Sequence, residues 1–447
     1  MDLQKDLDLA AELLSRSPAE QWEVWARSGR GLEIALRGQE LDKFERYSNR
    51  GLALRVILEG KAGFAFVVGE AADGLARAVE EALASARGSD LENRGGLTPP
   101  PEGELPPCQV YDPALADEQL ERKRERALKM ARAAQQADPR VVHVHPAEYA
   151  EGEAQVWLRN SLGLEFSHRS TVASAGVVAM AADEKHGQEV AYESDSRRFL
   201  ADLDPAELGR RAGRRAASYL GGEPMPDGRY DVVLENRVAA QFVGLLAHSF
   251  LGDNLVKGRS LLGPREGQKA LSELVTLLDD GLWPKGLGTA PFDGEGTLRR
   301  RTVLIERGVV RGFVFDRLWG AAAGRRSTGN ASRGSLKAPP GVGFSNLVLE
   351  PGQGSRDELV SRVERGMLVT EIMGGHTADP ISGEFSFGAS GYLIEKGRVG
   401  RPVKSMAMAG QVVELFNRLA AVGGDLEFFG SLGVPSLLVS DVSLSGP

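Results

Sequence analysis

Cysteine is nearly missing from this 447-residue chain, with Cys108 the only one. A single thiol excludes an intramolecular disulfide framework and any zinc site built on a cysteine cluster. No histidine or acid is arranged around Cys108 in sequence to activate it, so a structural role is expected. Positive charge is also in deficit: 54 Lys and Arg against 62 Asp and Glu leave a formal net charge of −8. That balance argues against a basic face for nucleic acid, and no direct nucleic-acid partner is expected. The opening MDLQKDLDLAAELLS carries early acids and no long apolar run, so neither a signal peptide nor a membrane span is expected, and the expected compartment is the cytoplasm. Nucleotide and hydrolase signatures are missing as well. GLGTAPFDGEG, 286–296, has neither GxGxxG order nor a phosphate-loop pattern, and Gly388-Ala389-Ser390-Gly391 does not fit a nucleophile elbow.

What the chain does have is 55 glycines, 42% hydrophobic residues and 26% charged residues, the profile of a globular protein long enough for two or three domains. Leu/Ala spacing predicts a helix over 3–16. QWEVWA, GLEIALR, LDKFERYS, GLALRVIL and AGFAFVVG then alternate like successive strands, with turns expected at Gly29, Gly38, Asn49-Arg50-Gly51 and Gly60. A helix at about 71–87 follows. Trp22 and Trp25 are read as sheet-packing aromatics. The proline-rich LTPPPEGELPPCQVYDP, 97–113, supports neither a helix nor a central strand and marks the clearest boundary.

Beyond it a long charged helix is expected from Ala114 to Ala137, its interleaved charges favouring a solvated face. Strand-like RVVHVH, EAQVWLRN and 164–183 come next, then a helix over 205–220. His143 and His145 share one side of a strand, but no third metal ligand is evident nearby. The repeated order of helix and strands hints at a duplicated α+β plan. After Pro226-Asp227-Gly228 comes a sheet-rich region opened by YDVVL and an amphipathic helix. Val238, Phe242, Leu245, Leu246 and Phe250 recur at helical spacing in it, with Asn236 as expected cap and a lone His248 near its end. Arg307-Gly308 fits a hairpin turn. RRSTGNASRGS, 325–335, reads as an exposed polar loop, and Asp279, Asp280, Asp293 and Glu295 as turn and capping acids. The expected fold class is α+β, mostly antiparallel sheet. The expected units are 1–95, a linker 96–113, a central domain 114–225 and a sheet-rich domain 226–447.

Several phrases of this chain resemble the PmbA/TldE branch of the TldD/PmbA family, which also carries the label of a proposed modulator of DNA gyrase. They are RGLALRVILEGKAGFAF (50–66), GDNLVKGRSLL, LVTLLDDG, PFDGEG, STGNASR, SNLVLEPG, GMLVTEIMGGHTADPISGEFSFGASGYLIEKGRV (366–399) and PSLLVSDVSLSG. The TldD-type members carry HExxxH before Gly-Asp and a cysteine near the carboxyl end as third zinc ligand. Here that motif falls on Val243 to His248, where only the second histidine survives. Val243 and Gly244 stand at the first ligand and the catalytic glutamate, and DLEFFGSLGVP, 425–435, has no cysteine.

The resemblance therefore implies no catalytic and no metal-binding residue in this chain, and zinc in a TldD-type partner subunit. It implies a cytoplasmic metallopeptidase acting on unfolded peptides, with this chain shaping the peptide groove and forming a dimer, with itself if alone. His248, Gly374, Gly375 and His376 are the expected groove residues. The rival readings are an independent hydrolase using His248 and a gyrase-associated binding regulator with no proteolytic partner.

Overall fold

The computed structural model describes residues 3–69, 74–90, 92, 93 and 95–446. The first helix, α1 (Leu3–Ser15), forms because Leu3, Leu7, Ala10 and Leu14 recur on one face, and that face is buried. Three strands follow, β1 (Gln21–Arg37), β2 (Glu40–Leu58) and β3 (Lys61–Val68), then α2 (Leu75–Arg87). The expected helix at 71–87 begins on 71–73, which lie outside the described residues.

Gly38 and Gly60 turn the chain at φ +62° and +72°, as expected. Gly29 and Asn49-Arg50-Gly51 do not. They lie inside β1 and β2, with Gly29 opposite Asn49 in the ladder. These glycines serve close approach: a Cβ at Gly29 would stand 2.7 Å from Asn49 Oδ1, and one at Gly51 would stand 2.3 Å from the Val67 carbonyl oxygen.

A second unit repeats the plan. The expected long helix is two pieces, α3 (Pro113–Asp117) and α4 (Leu120–Gln136), because Glu118 and Gln119 adopt extended backbone. Then come β4 (Val141–Asn160), β5 (Glu165–Asp183), β6 (Gly187–Arg197) and α5 (Pro205–Ser218). All six strands form one antiparallel half-barrel in the order β3-β2-β1-β4-β5-β6. The two first strands pair at its centre, from Glu23 opposite Asn160 to Leu36 opposite Ala147. The duplication is thus visible as two helix-plus-three-strand units about a pseudo-twofold, joined through the proline-rich segment. Even-numbered residues of β1 face the helices: Val24 and Ala26 pack with α1 and α2, and Leu32, Ile34 and Leu36 with α4 and α5. On the opposite face Trp25, Ala53 and Leu158 meet Phe292 from the sheet-rich region.

That region begins with β7 (Gly228–Leu234) and α6 (Asn236–Ala247). A six-stranded sheet uses β8 (Leu277–Asp280), β9 (Arg301–Glu306), β10 (Val309–Val310), β13 (Leu347–Leu349), β18 (Glu427–Phe429) and β19 (Leu432–Val434). Two short strands, β11 (Ala331–Ser332) and β12 (Gly341–Val342), pair with each other. Arg307 and Gly308, both at positive φ, make the expected turn between β9 and β10. The last strands are β14 (Arg365–Met373), β15 (Glu384–Glu395), β16 (Arg398–Gln411), β17 (Leu419–Val422) and β20 (Leu437–Ser445). Their sheet runs β16-β15-β14-β7-β20-β17 and closes into a small barrel where β16 pairs with β20. The fold is α+β, as the sequence predicts.

One sequence expectation holds at the ends of its segment and fails in the middle. Segment 325–335 is polar but not simply exposed: Asn330 and Ala331 are buried, and the Arg333 side chain is 2% exposed. Its polar groups pair inside the protein. Asn330 donates to Asp279, and Arg333 forms an ion pair with Glu23 of β1. Hydropathy cannot distinguish polar groups bound to water from polar groups bound to one another.

Candidate functional site

α6 is the element on which the site is built. Val238, Ala239, Phe242, Val243 and Leu246 turn into the core, where Phe242 meets Phe385 edge-on at 4.9 Å. Asn236 does not cap the helix. It is the first helical residue, and its amide donates to the carbonyls of Asp425 and Val434. Four positions make the opposite face, Arg237, Gln241, Gly244 and His248, spaced so that they line one side of a regular helix. Gln241 and His248 are exposed, and a Cβ at Gly244 would meet open space. His248 opens a short 3₁₀ turn, and its Nδ1 lies 3.1 Å from the Gly244 carbonyl oxygen. Donation there leaves Nε2 as the free acceptor.

This geometry tests whether the helix suits the zinc ion of an HExxxH site. Val243 is fully buried among apolar side chains, Gly244 has no side chain, and one imidazole is not a zinc ligand set. These residues do not fit the ion. Among the described residues, no group of three or more His, Cys, Asp or Glu could hold a metal.

Gly374, Gly375 and His376 are not within a strand. β14 ends at Met373, Gly374 takes φ +83°, and Gly375–Thr377 form a 3₁₀ turn. The turn is closed by the Thr377 amide and hydroxyl, both donating to the Gly374 carbonyl at 2.8 Å. A Cβ at Gly375 would stand 2.8 Å from Gln241 Oε1, so the turn touches the open face of α6. β14 is an interior strand of the barrel, which excludes edge pairing along most of its length. Its parallel partner β7 stops at Leu234 opposite Val369, however, while β15 continues to Met373. The Val369 and Thr370 carbonyls are taken by the Glu235 amide and by Arg215. Beyond Val369, Glu371 to Met373 pair with β15 alone among the described residues. Sequence reasoning missed Gln241, whose place on the same helical face as His248 was legible from spacing.

Two buried charge networks hold this region in place. Glu193 of β6, fully buried, faces Arg211 and Arg215 of α5 and Arg237 of α6, and Arg215 reaches on to Glu235 at 2.8 Å. Burial opposes the charge on Arg215, but Glu235 and Glu193 outweigh it and raise its pKa. The second network joins the half-barrel to the sheet-rich region. Arg55 bridges Glu23 at 3.0 Å and Glu295 at 2.6 Å, all nearly inaccessible to water. Beside it, Asp316 has its carboxyl pushed up to about 7, by burial first and then by Glu295. Asp293 is raised likewise by burial and by Glu295, while both its oxygens accept backbone amides of Glu295, Thr297 and Ala331. Asp280 accepts from the Leu282 amide, the turn role expected of it.

Three domain descriptions of one family match the chain in succession: PmbA/TldA metallopeptidase domain 1 over 22–86, the central domain over 113–220 and the C-terminal domain over 227–446. The chain belongs to the PmbA/TldD metallopeptidase family. It is 25% identical over 453 aligned residues to the metalloprotease PmbA homolog of Haemophilus influenzae, covering 100% of this chain and 96% of that one. A solved structure from Thermotoga maritima, described as a proposed modulator of a DNA gyrase, superimposes with a TM-score of 0.90 at 25% identity, covering 99% of this chain and 100% of that one. TldE from Thermococcus kodakarensis shares the fold, with a TM-score of 0.88 at 24% identity, over 99% of this chain and 100% of that chain.

Proposed function

We propose that this chain is the non-catalytic, TldE-like subunit of a cytoplasmic zinc metallopeptidase that acts on unfolded peptides, its zinc carried by a TldD-type partner. The supporting observation is the register of α6. The position of the first histidine in HExxxH is Val243, directed into the core, and the glutamate position is Gly244, open to solvent. Zinc in the partner would supply an activated water. This chain supplies a groove wall: Gln241 and His248 from α6, the turn Gly374-Gly375-His376, and the short free edge Glu371 to Met373, where an extended peptide could add by backbone pairing. His248, with Nε2 free, offers that peptide an acceptor. The units of the chain are taken as 1–95, the linker 96–113, 114–225 and 226–447.

Affinity purification from the native source tests the reading. The expected result is copurification with an HExxxH-bearing relative, with zinc and peptidase activity in the complex and neither in the isolated chain. One tightly held zinc per isolated chain, lost on His248→Ala, would overturn it.

A further inference from the structure

Helix α5 carries a stripe of charge that its own packing does not explain. Its buried side, with Leu208, Ala212, Ala216 and Ala217, packs into the core shared with α4. Arg211, Arg214, Arg215 and Ser218 recur three and four apart along another side. Like charges four apart oppose one another on a helix, so the stripe requires partners. Carboxylates supply most of them. Arg215 holds Glu193 and Glu235, each at 2.8 Å, and Arg211 holds Glu427 at 2.9 Å and Glu193 at 3.3 Å. Arg214 is exposed and has no ion-pair or hydrogen-bond partner among the described residues.

The stripe lines a cavity of about 600 Å³ between α5 and the small barrel, a size that holds a small molecule. Leu368, Tyr392 and Val399, from the adjacent strands β14, β15 and β16, give the cavity an apolar floor. Leu368 belongs to a small cluster with Val233, Ile394 and Leu438, separate from the core that takes Val369 and the apolar side of α6. The cavity therefore lies on the other face of β14 from α6. Arg356, the first residue of a short helix (Arg356–Ser361), also lines it. One nitrogen of Arg356 holds Glu235 at 3.0 Å, and another meets Asp357, a largely exposed carboxylate, at 3.4 Å.

Charge restricts the occupant. Four arginines line the cavity, against Glu235 and Glu427 in its lining and Glu193 buried behind Arg211 and Arg215. Glu193 is shared further with Arg237 of α6, so no carboxylate is left over for Arg214. One negative group on the occupant answers that guanidinium, and a carboxylate matches its planar fork in a two-point contact. The floor calls for an apolar body beneath that head. We infer that the cavity between α5 and β14–β16 is a binding site for a small organic carboxylate. Its head lies on Arg214, with Arg356 as a second donor, and its apolar body lies over Leu368, Tyr392 and Val399. The site does not depend on the groove assignment.

Calorimetric titration of the full chain with phenylacetate tests it. The expected result is saturable binding of one molecule per chain with a Kd of about 1 mM or below. Phenylacetamide, of the same shape without the charge, binds about tenfold more weakly or worse. Arg214→Ala raises the phenylacetate Kd about tenfold or more, and Arg214→Lys, which keeps the charge without the fork, falls between. Val399→Asp sets a carboxylate beside the ligand and raises the Kd as well. Arg124→Ala, which removes an exposed arginine of α4, leaves it unchanged. Positions 214 and 399 are exposed, so folding is retained. Absence of saturable binding up to about 10 mM, equal binding of phenylacetamide, tighter binding of phenylphosphate, or wild-type affinity in Arg214→Ala would overturn the inference. A chain that does not bind phenylacetate but copurifies with an HExxxH-bearing relative overturns this site and leaves the proposed function standing.

Discussion

Val243 and Gly244 are neighbours in sequence with opposite surroundings, and the difference decides what substitution does at each. A histidine at 243 places a ring nitrogen in a fully apolar site at a cost of about 2–3 kcal/mol. A glutamate at 244 extends into open space and removes a mid-helix glycine, stabilising by up to about 1 kcal/mol. Chemical denaturation of Val243→His, Gly244→Glu and the double variant should therefore give loss, gain and net loss. The double variant should bind zinc weakly in competition titration and show no peptide hydrolysis. Residues five apart on a regular helix diverge by about 140°, so the first histidine would point into the core and the second to solvent. Asp316 makes a second residue-scale prediction. Its folded pKa of about 7 lies above the usual 3.8, so its protonation contributes stability that is complete below about 3.8 and is lost as pH rises through 7. Asp316→Asn keeps a capping side chain for the Trp319 amide and removes the titration. The difference between wild-type and variant denaturation midpoints should change with pH from about 4 to 7 and level off above.

At the scale of elements, the turn after β14 shows why Gly374 is a glycine. Its φ of +83° is a conformation that costs a side-chain-bearing residue roughly 1–2 kcal/mol, so Gly374→Ala should lower thermal stability by that amount. The same variant should weaken peptide capture by the complex if the turn forms part of the groove, as a peptide-binding titration would register. The helices and most strands are legible because their apolar spacing matches their burial. Turns were misplaced at Gly29 and at Asn49 to Gly51, since glycine marks close approach of strands as readily as a turn. A sequence does not say which strand will lie alongside. The long helix expected from Ala114 was divided by two extended residues, Glu118 and Gln119, which carry no proline or glycine to announce the break.

Across the whole molecule, the half-barrel and the sheet-rich region are held together by charges removed from water. Arg55→Met leaves Glu23 and Glu295 buried without their shared partner, a loss of about 3–5 kcal/mol measurable by denaturation. Because Glu23 is on β1 and Glu295 on the segment before β9, the substitution should also increase amide exchange along that boundary.

By itself, the sequence determined the α+β class, the family resemblance through its ordered phrases, and the absence of HExxxH at 243–248. Each depends on residue identity or local spacing, which folding does not alter. Only the tertiary structure decided that the two αβ units share one sheet, that Val243 faces the core while Gly244 faces solvent, and that Asn330 and the Arg333 side chain turn inward from an otherwise largely exposed polar segment. It also brought Gly375 against Gln241 and left Glu40–Asn49 with β1 alone beside it among the described residues. These facts depend on which distant segments lie side by side, and a polar residue is equally at home in water or against a buried partner of opposite charge.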